Sequence, residues 1–133
     1  MDNIYKLDFS VRDYELDLQG IVNNAVYLNY LEHARHEFLK SKGLDFNELH
    51  LQGYDAVVVR SEVDYKKSLR SGDEFTVETY VSREGRLRII FHQTIRKKSD
   101  QSVVIIAQIF AACIYNNRPI EPLIILEKLG LLA

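Results

Sequence analysis

The sequence predicts an α+β fold in which a long central helix is wrapped by a curved antiparallel β-sheet. Three observations carry that prediction. Residues 24–41 repeat apolar side chains at helical spacing, and residues from 57 onward alternate apolar with polar side chains at strand spacing. Short stretches rich in Gly, Ser, Asp and Asn separate the alternating runs, as turns between antiparallel strands do.

The first segment, residues 5–12, sets Tyr5, Leu7, Phe9 and Val11 against Lys6, Asp8, Ser10 and Arg12, which predicts a strand. A polar turn containing Asp17 and Gly20 follows. In residues 24–41, Tyr27, Leu28, Tyr30, Leu31, Ala34, Phe38 and Leu39 cover more than one face, so the helix is expected to be largely enclosed. Asn23 or Asn24 supplies its N-cap and Gly43 its stop. Residues 46–52 read as a short second helix.

Strands are then predicted at residues 57–65, 75–81 and 87–95, with turns at 71–73, 84–86 and 98–101. Residues 103–115 are apolar on both faces and are expected to form a central strand. Residues 116–119 end it, and residues 122–132 read as a short helix. The expectation is four consecutive antiparallel strands joined by short turns. No repeat or linker divides the chain, so residues 1–133 are taken as one domain.

Composition narrows the function classes. The chain is 47% hydrophobic and 27% charged, ordinary for a globular protein. The single cysteine, Cys113, excludes an internal disulfide, and no Cys/His spacing suits a metal, so neither metal nor cofactor is expected. The first residues lack the basic and apolar segments of a secretion leader, and the longest apolar run is too short to span a bilayer. A cytoplasmic protein without membrane partners is the expectation. Nine of the 17 Lys and Arg residues fall between 66 and 98, with only four acids among them. That basic patch suits a compact phosphate-bearing ligand better than a nucleic acid, unless it is simply a set of solvated strand ends.

Phosphate-binding glycine loops, G-x-S-x-G elbows and H-E-x-x-H motifs are all missing. His33 and His36 lie three apart on the predicted helix without a third ligand at matching spacing, and Cys113 reads as a core residue. The informative stretch is D-L-Q-G-I-V-N-N-A-V-Y, residues 17–27. It sets a carboxylate just ahead of a long helix whose first N–H groups lack intrahelical partners. Those amides, at the positive end of the helix dipole, can hold a developing oxyanion. A neighbouring carboxylate can attack a carbonyl or activate water, and Gly20 allows close backbone approach. The alternative is that Asp17 only caps its own turn.

Residues 12–35, R-D-Y-E-L-D-L-Q-G-I-V-N-N-A-V-Y-L-N-Y-L-E-H-A-R, closely resemble the 4-hydroxybenzoyl-CoA thioesterase family of hotdog-fold proteins. Residues 63–75, V-D-Y-K-K-S-L-R-S-G-D-E-F, resemble that family's second signature, and the strand pattern agrees beyond it. The resemblance implies a hotdog fold, dimers formed edge to edge that often pair into tetramers, and active sites at the dimer interface. It implies hydrolysis of an acyl-CoA, with Asp17 as nucleophile or general base and the carbonyl-polarising amide at Asn24. Gly20, Asn23 and Tyr27 then contact substrate, and Lys66, Lys67, Arg83, Arg86 and Arg88 are the candidates for the CoA phosphates. Many relatives carry His where this chain has Ile21, one branch has Tyr-His at Asn23-Asn24, and Pro is frequent at Ser68. An acyl carrier protein in place of CoA, or acyl-thioester binding without catalysis, are the alternatives. The expected partners are thus an acyl-CoA and further copies of the chain, with no nucleic acid.

Overall fold

A computed structural model of the chain describes residues 4–132; residues 1–3, where the stretch scanned for a leader begins, and Ala133 lie outside them. Strand β1 (Tyr5–Ser10) leads through a 3-10 turn (Asp13–Glu15) to helices α1 (Asn24–Ser41) and α2 (Phe46–Leu51). Then come β2 (Tyr54–Tyr65), β3 (Glu74–Glu84), β4 (Arg88–Lys97), β5 (Val103–Tyr115), β6 (Arg118–Ile120) and helix α3 (Leu123–Lys128).

Helix α1 starts where the side chain of Asn23, itself extended, accepts the Ala25 N–H at 2.9 Å. It stops at Gly43, whose φ of +81° is readily reached only without a Cβ, and whose N–H returns to the Lys40 carbonyl. Between them Tyr27, Tyr30, Leu31, Ala34 and Phe38 form one buried stripe. The helix is enclosed on that stripe and, near its end, at Leu39, but not all round: Leu28, expected to be covered too, is 42% exposed. The reason is that a single sheet face covers it.

The sheet runs in the order β1-β3-β4-β5-β2, every neighbour antiparallel. Its helix-facing side is built in rows, for example Leu7, Val77, Ile95 and Ile105 across four strands. Aromatic rings join helix to sheet: Tyr30 meets Phe75 at 4.8 Å, and Phe38 meets Tyr5 at 5.7 Å and Phe91 at 6.4 Å. One buried polar cluster adds direction to this packing. Gln93 donates to the Leu31 carbonyl at 3.0 Å and to the Thr79 hydroxyl at 3.1 Å, while accepting from Arg35 at 3.1 Å.

Two expectations are corrected. The segment at 57–65 does not pair with the one at 75–81: β2 lies at the far edge beside β5, and residues 66–73 cross the end of the sheet to reach β3. Strand β5, apolar on both faces, needs a partner along each edge, and β2 takes the outer one. The chain also does not leave the sheet after residue 115. Asn116 and Asn117 adopt φ of +49° and +64°, a tight reverse turn, and β6 folds back on β5.

Strand β2 is an open edge twelve residues long, with exposed Val57, Val58 and Val59 and a bulge between Val58 and Arg60. No helix among the described residues is long and apolar enough to cross a membrane.

Candidate active site

The loop between β1 and α1 is pinned at several points. Leu16 and Val22 form an isolated bridge, the Asp17 N–H donates to the Ile21 carbonyl at 2.8 Å, and Asn23 donates to the Glu15 carbonyl at 3.0 Å. Gly20 turns the chain at φ +78°. A Cβ there would meet nothing within 4 Å, so glycine serves the backbone conformation within this chain.

Asp17 is partly buried, and one of its oxygens is engaged. Oδ1 accepts the N–H groups of Gln19 at 2.8 Å and Ile21 at 3.4 Å. The turn-capping role expected as the alternative is therefore present, but it uses one oxygen. Oδ2 takes no hydrogen bond from any described residue. Asn23 spends its side chain on capping α1, and Asn24 is the first helical residue, its N–H without an acceptor among the described residues. The loop thus holds a tethered carboxylate and a helix-start amide on one short segment. A carbonyl placed on that amide would be polarised by the helix dipole, and the free oxygen supplies a base or nucleophile.

The crossing segment braces this end of the molecule. Leu69, 0% exposed, accepts the Val22 N–H at 2.9 Å through its carbonyl, and its own N–H donates to the Tyr27 hydroxyl at 2.9 Å. Tyr27 is buried against the edge of Tyr65, and burial pushes its phenol pKa up, so the hydroxyl keeps its proton. Lys66 and Lys67, exposed, lie on the same crossing.

Arg83, Arg86 and Arg88 are elsewhere. They surround the β3–β4 turn at the opposite end of β3, roughly 30 Å away at strand rise. Arg83 pairs with Glu121, Arg86 reaches the same acid at 3.7 Å, and Arg88 reaches Glu84 at 3.6 Å. One chain therefore divides the expected phosphate-binding set into two groups. Among the described residues no cluster of three His, Cys, Asp or Glu could hold a metal ion. His33 packs on Phe9 and His36 on Phe46, and burial pushes the Cys113 thiol up.

A groove of about 860 Å³ runs between α1, α2 and β2 and is lined by Arg35, His36, Phe46, Tyr54, Val58 and Phe91. Asp17 does not line it. Within one chain the Asp17 loop therefore lies apart from this groove, whose lining includes Tyr54, Val57 and Val58 of the β2 edge.

Residues 19–104 match the model of the thioesterase superfamily. The chain belongs to the thioesterase superfamily. It is 38% identical over 122 residues to the chloroplastic acyl-acyl carrier protein thioesterase ATL3 of Arabidopsis thaliana, covering 91% of this chain. The chain spans 64% of that plant protein's length, less than two thirds. It is 31% identical to the long-chain acyl-CoA thioesterase FadM of Escherichia coli, over 78% of each chain. The crystal structure of a hypothetical protein from Aquifex aeolicus superposes with a TM-score of 0.87 at 30% identity, covering 94% of this chain and 98% of that one. The fold is the hotdog fold of this superfamily, the α+β arrangement that the sequence predicted.

Glu15 and Leu69 escape the sequence reading, which places Tyr30 only in the apolar cover of the helix. Each looks local in the chain and becomes part of the site only through partners far away in sequence. A glutamate in a D-Y-E turn carries no mark of burial.

Proposed function

We propose that the protein hydrolyses acyl-CoA thioesters to a free carboxylic acid and CoA. The observation that carries this reading is the Asp17 carboxylate, tethered through Oδ1 and open at Oδ2, on the loop that delivers the capped start of α1. The thioester oxygen is held on the Asn24 N–H, where negative charge developing on it is stabilised. Asp17 Oδ2 attacks the carbonyl carbon, or takes a proton from the water that does. The C–S bond then breaks and the sulfur leaves as CoA thiolate, which is protonated; where water attacked, the acid forms directly, and where Asp17 attacked, water hydrolyses the acyl–Asp17 anhydride, releasing the acid and restoring the carboxylate. A thioester is activated enough for a carboxylate and an oriented amide to suffice without the imidazole that Ile21 replaces.

The working unit of this proposal is a two-fold dimer in which β2 pairs antiparallel with β2 of a second copy, with further pairing into a dimer of dimers. The long, open, valine-rich edge supports it. Antiparallel pairing sets the Arg83, Arg86 and Arg88 end of one copy beside the Asp17, Lys66 and Lys67 end of the other. It also brings the groove of one copy toward the reactive loop of the other, giving the acyl chain a place to lie. The basic residues at the joined ends then receive the CoA phosphates, in a cytoplasmic enzyme.

The acyl group is either aliphatic, as the name of FadM suggests, or aromatic, as in the 4-hydroxybenzoyl-CoA thioesterases. The 38% identity to a plant acyl-acyl carrier protein thioesterase favours a second reading, with the carrier protein in place of CoA. A thiol-release assay over straight-chain acyl-CoAs and benzoyl-CoA, repeated with the same acyl group on acyl carrier protein, separates these readings. Asp17→Asn is expected to lower kcat by at least about a hundredfold. A wild-type rate in that variant would reduce Asp17 to a turn residue and sink the mechanism. Stabilisation by acyl-CoA without thiol release would identify a binding protein instead.

A further inference from the structure

Among the described residues, Glu15 is the one charged side chain in the buried set, 6% exposed. A carboxylate removed from water is strongly destabilising unless donors replace the lost solvent. Its Oε1 accepts the Arg12 N–H at 2.8 Å and the Tyr30 hydroxyl at 2.7 Å, and its Oε2 faces the Arg12 guanidinium at 3.2 Å. The chemistry assigned to Asp17 uses neither Glu15 nor Tyr30 by contact. Their placement points to a different role.

Two of the bonds of residue 15 bracket the Asp17 loop. Through its side chain, Glu15 is fastened to Tyr30 in the body of α1. Through its carbonyl, it is fastened to Asn23, the residue that caps α1. Asp17 follows the first anchor by two residues, and Asn24 follows the second by one. Tyr30 is itself immobilised, its ring 4.8 Å from Phe75 and 5.5 Å from Phe9. Burial and the Glu15 charge push the Tyr30 phenol pKa up, so it remains a donor.

We propose that Glu15 and Tyr30 are positioning residues: their buried hydrogen bond sets where the Asp17 carboxylate sits relative to the Asn24 amide. This inference rests on the reading of Asp17 as the reacting carboxylate. It differs from a purely structural role, in which loss of the bond lowers the melting temperature but leaves kcat unchanged in folded protein.

The test measures kcat and KM of the full chain by thiol release, using the acyl-CoA that the wild type turns over fastest. Each variant is assayed well below its own melting temperature. Tyr30→Phe and Glu15→Ala are expected to lower kcat about ten- to a hundredfold with KM within about twofold, since small displacements of reacting groups carry losses of that size. Glu15→Gln retains an oxygen that accepts from both Tyr30 and Arg12, and it is expected to keep kcat within about threefold. A wild-type kcat in Tyr30→Phe overturns the proposal, as does a loss in Glu15→Gln as large as in Glu15→Ala. Should Glu15→Ala not fold, the isosteric pair Tyr30→Phe and Glu15→Gln decides alone. Failure of the underlying reading looks different: no thioester is hydrolysed, or Asp17→Asn is fully active. Amide hydrogen exchange of residues 16–22 then still tests the clamp, being expected to quicken in Tyr30→Phe, and unchanged exchange overturns it.

Discussion

Replacing Gln93 by leucine removes the centre of the polar cluster that ties α1 to the sheet. Gln93 is 1% exposed and makes three hydrogen bonds, to the Leu31 carbonyl, the Thr79 hydroxyl and the Arg35 guanidinium. Two of these are neutral and contribute about 1 kcal/mol each, and the bond from the charged donor about 2 kcal/mol. Leucine returns roughly 1 kcal/mol through apolar burial. The net expectation is a loss of about 3 kcal/mol. With an unfolding entropy of about 2.1 cal/mol/K per residue, a chain of 133 residues should melt about 11 °C lower. Urea denaturation and thermal melts at one fixed protein concentration measure it, because association would otherwise shift both. Arg35→Met should then cost much less in the Gln93→Leu background than alone. A loss below about 1 kcal/mol, or additive effects of the two changes, would show that the cluster is not a coupled unit.

Two further predictions follow from the backbone. Val57→Lys combined with Val58→Lys places a charge on each face of the open β2 edge, and is expected to convert the proposed dimer to monomers by light scattering and to lower turnover at least about tenfold; an unchanged assembly with full activity would remove that edge from the proposed site. Gly20→Ala should destabilise by about 1 kcal/mol from its left-handed φ alone, and Gly20→Asn should destabilise less, since asparagine tolerates that region. The ranking is read from denaturation midpoints, and an asparagine variant less stable than the alanine one would refute it.

Local chemistry explains what was legible in the sequence. Helix α1 begins and ends where Asn23 and Gly43 predict, because a cap and a left-handed stop are properties of single residues. Strand β5 runs from residue 103 to 115 as its apolar run indicates. The neighbour of β2 was not legible, because alternation says which face is buried and nothing about which strand lies alongside. Strand β6 is not legible because Asn-Asn reads as a stop, whereas two positive φ angles turn the chain back. At the site, Asp17, Gly20, Asn23 and Asn24 share one short loop, so the sequence placed them together. Arg83, Arg86 and Arg88 follow Lys66 and Lys67 closely in the chain, yet β3 carries them to the other end of the sheet. Glu15 was invisible for the converse reason: its burial depends on a tyrosine fifteen residues away.

The crossing at residues 66–73 has a consequence for how such a chain can diverge. Leu69 gives its carbonyl to Val22 and its N–H to Tyr27, so two stretches of sequence more than forty residues apart are one mechanical part. Tyr27→Phe would strand the buried Leu69 N–H, and a second change that removes that N–H or finds it another acceptor would relieve the defect. Tyr27 is therefore expected to keep its hydroxyl across descendants of this chain unless a proline at position 69 removes the N–H that needs it. Evolution can rework the groove or the strand edge residue by residue, but it must revise the brace beneath the Asp17 loop in matched steps.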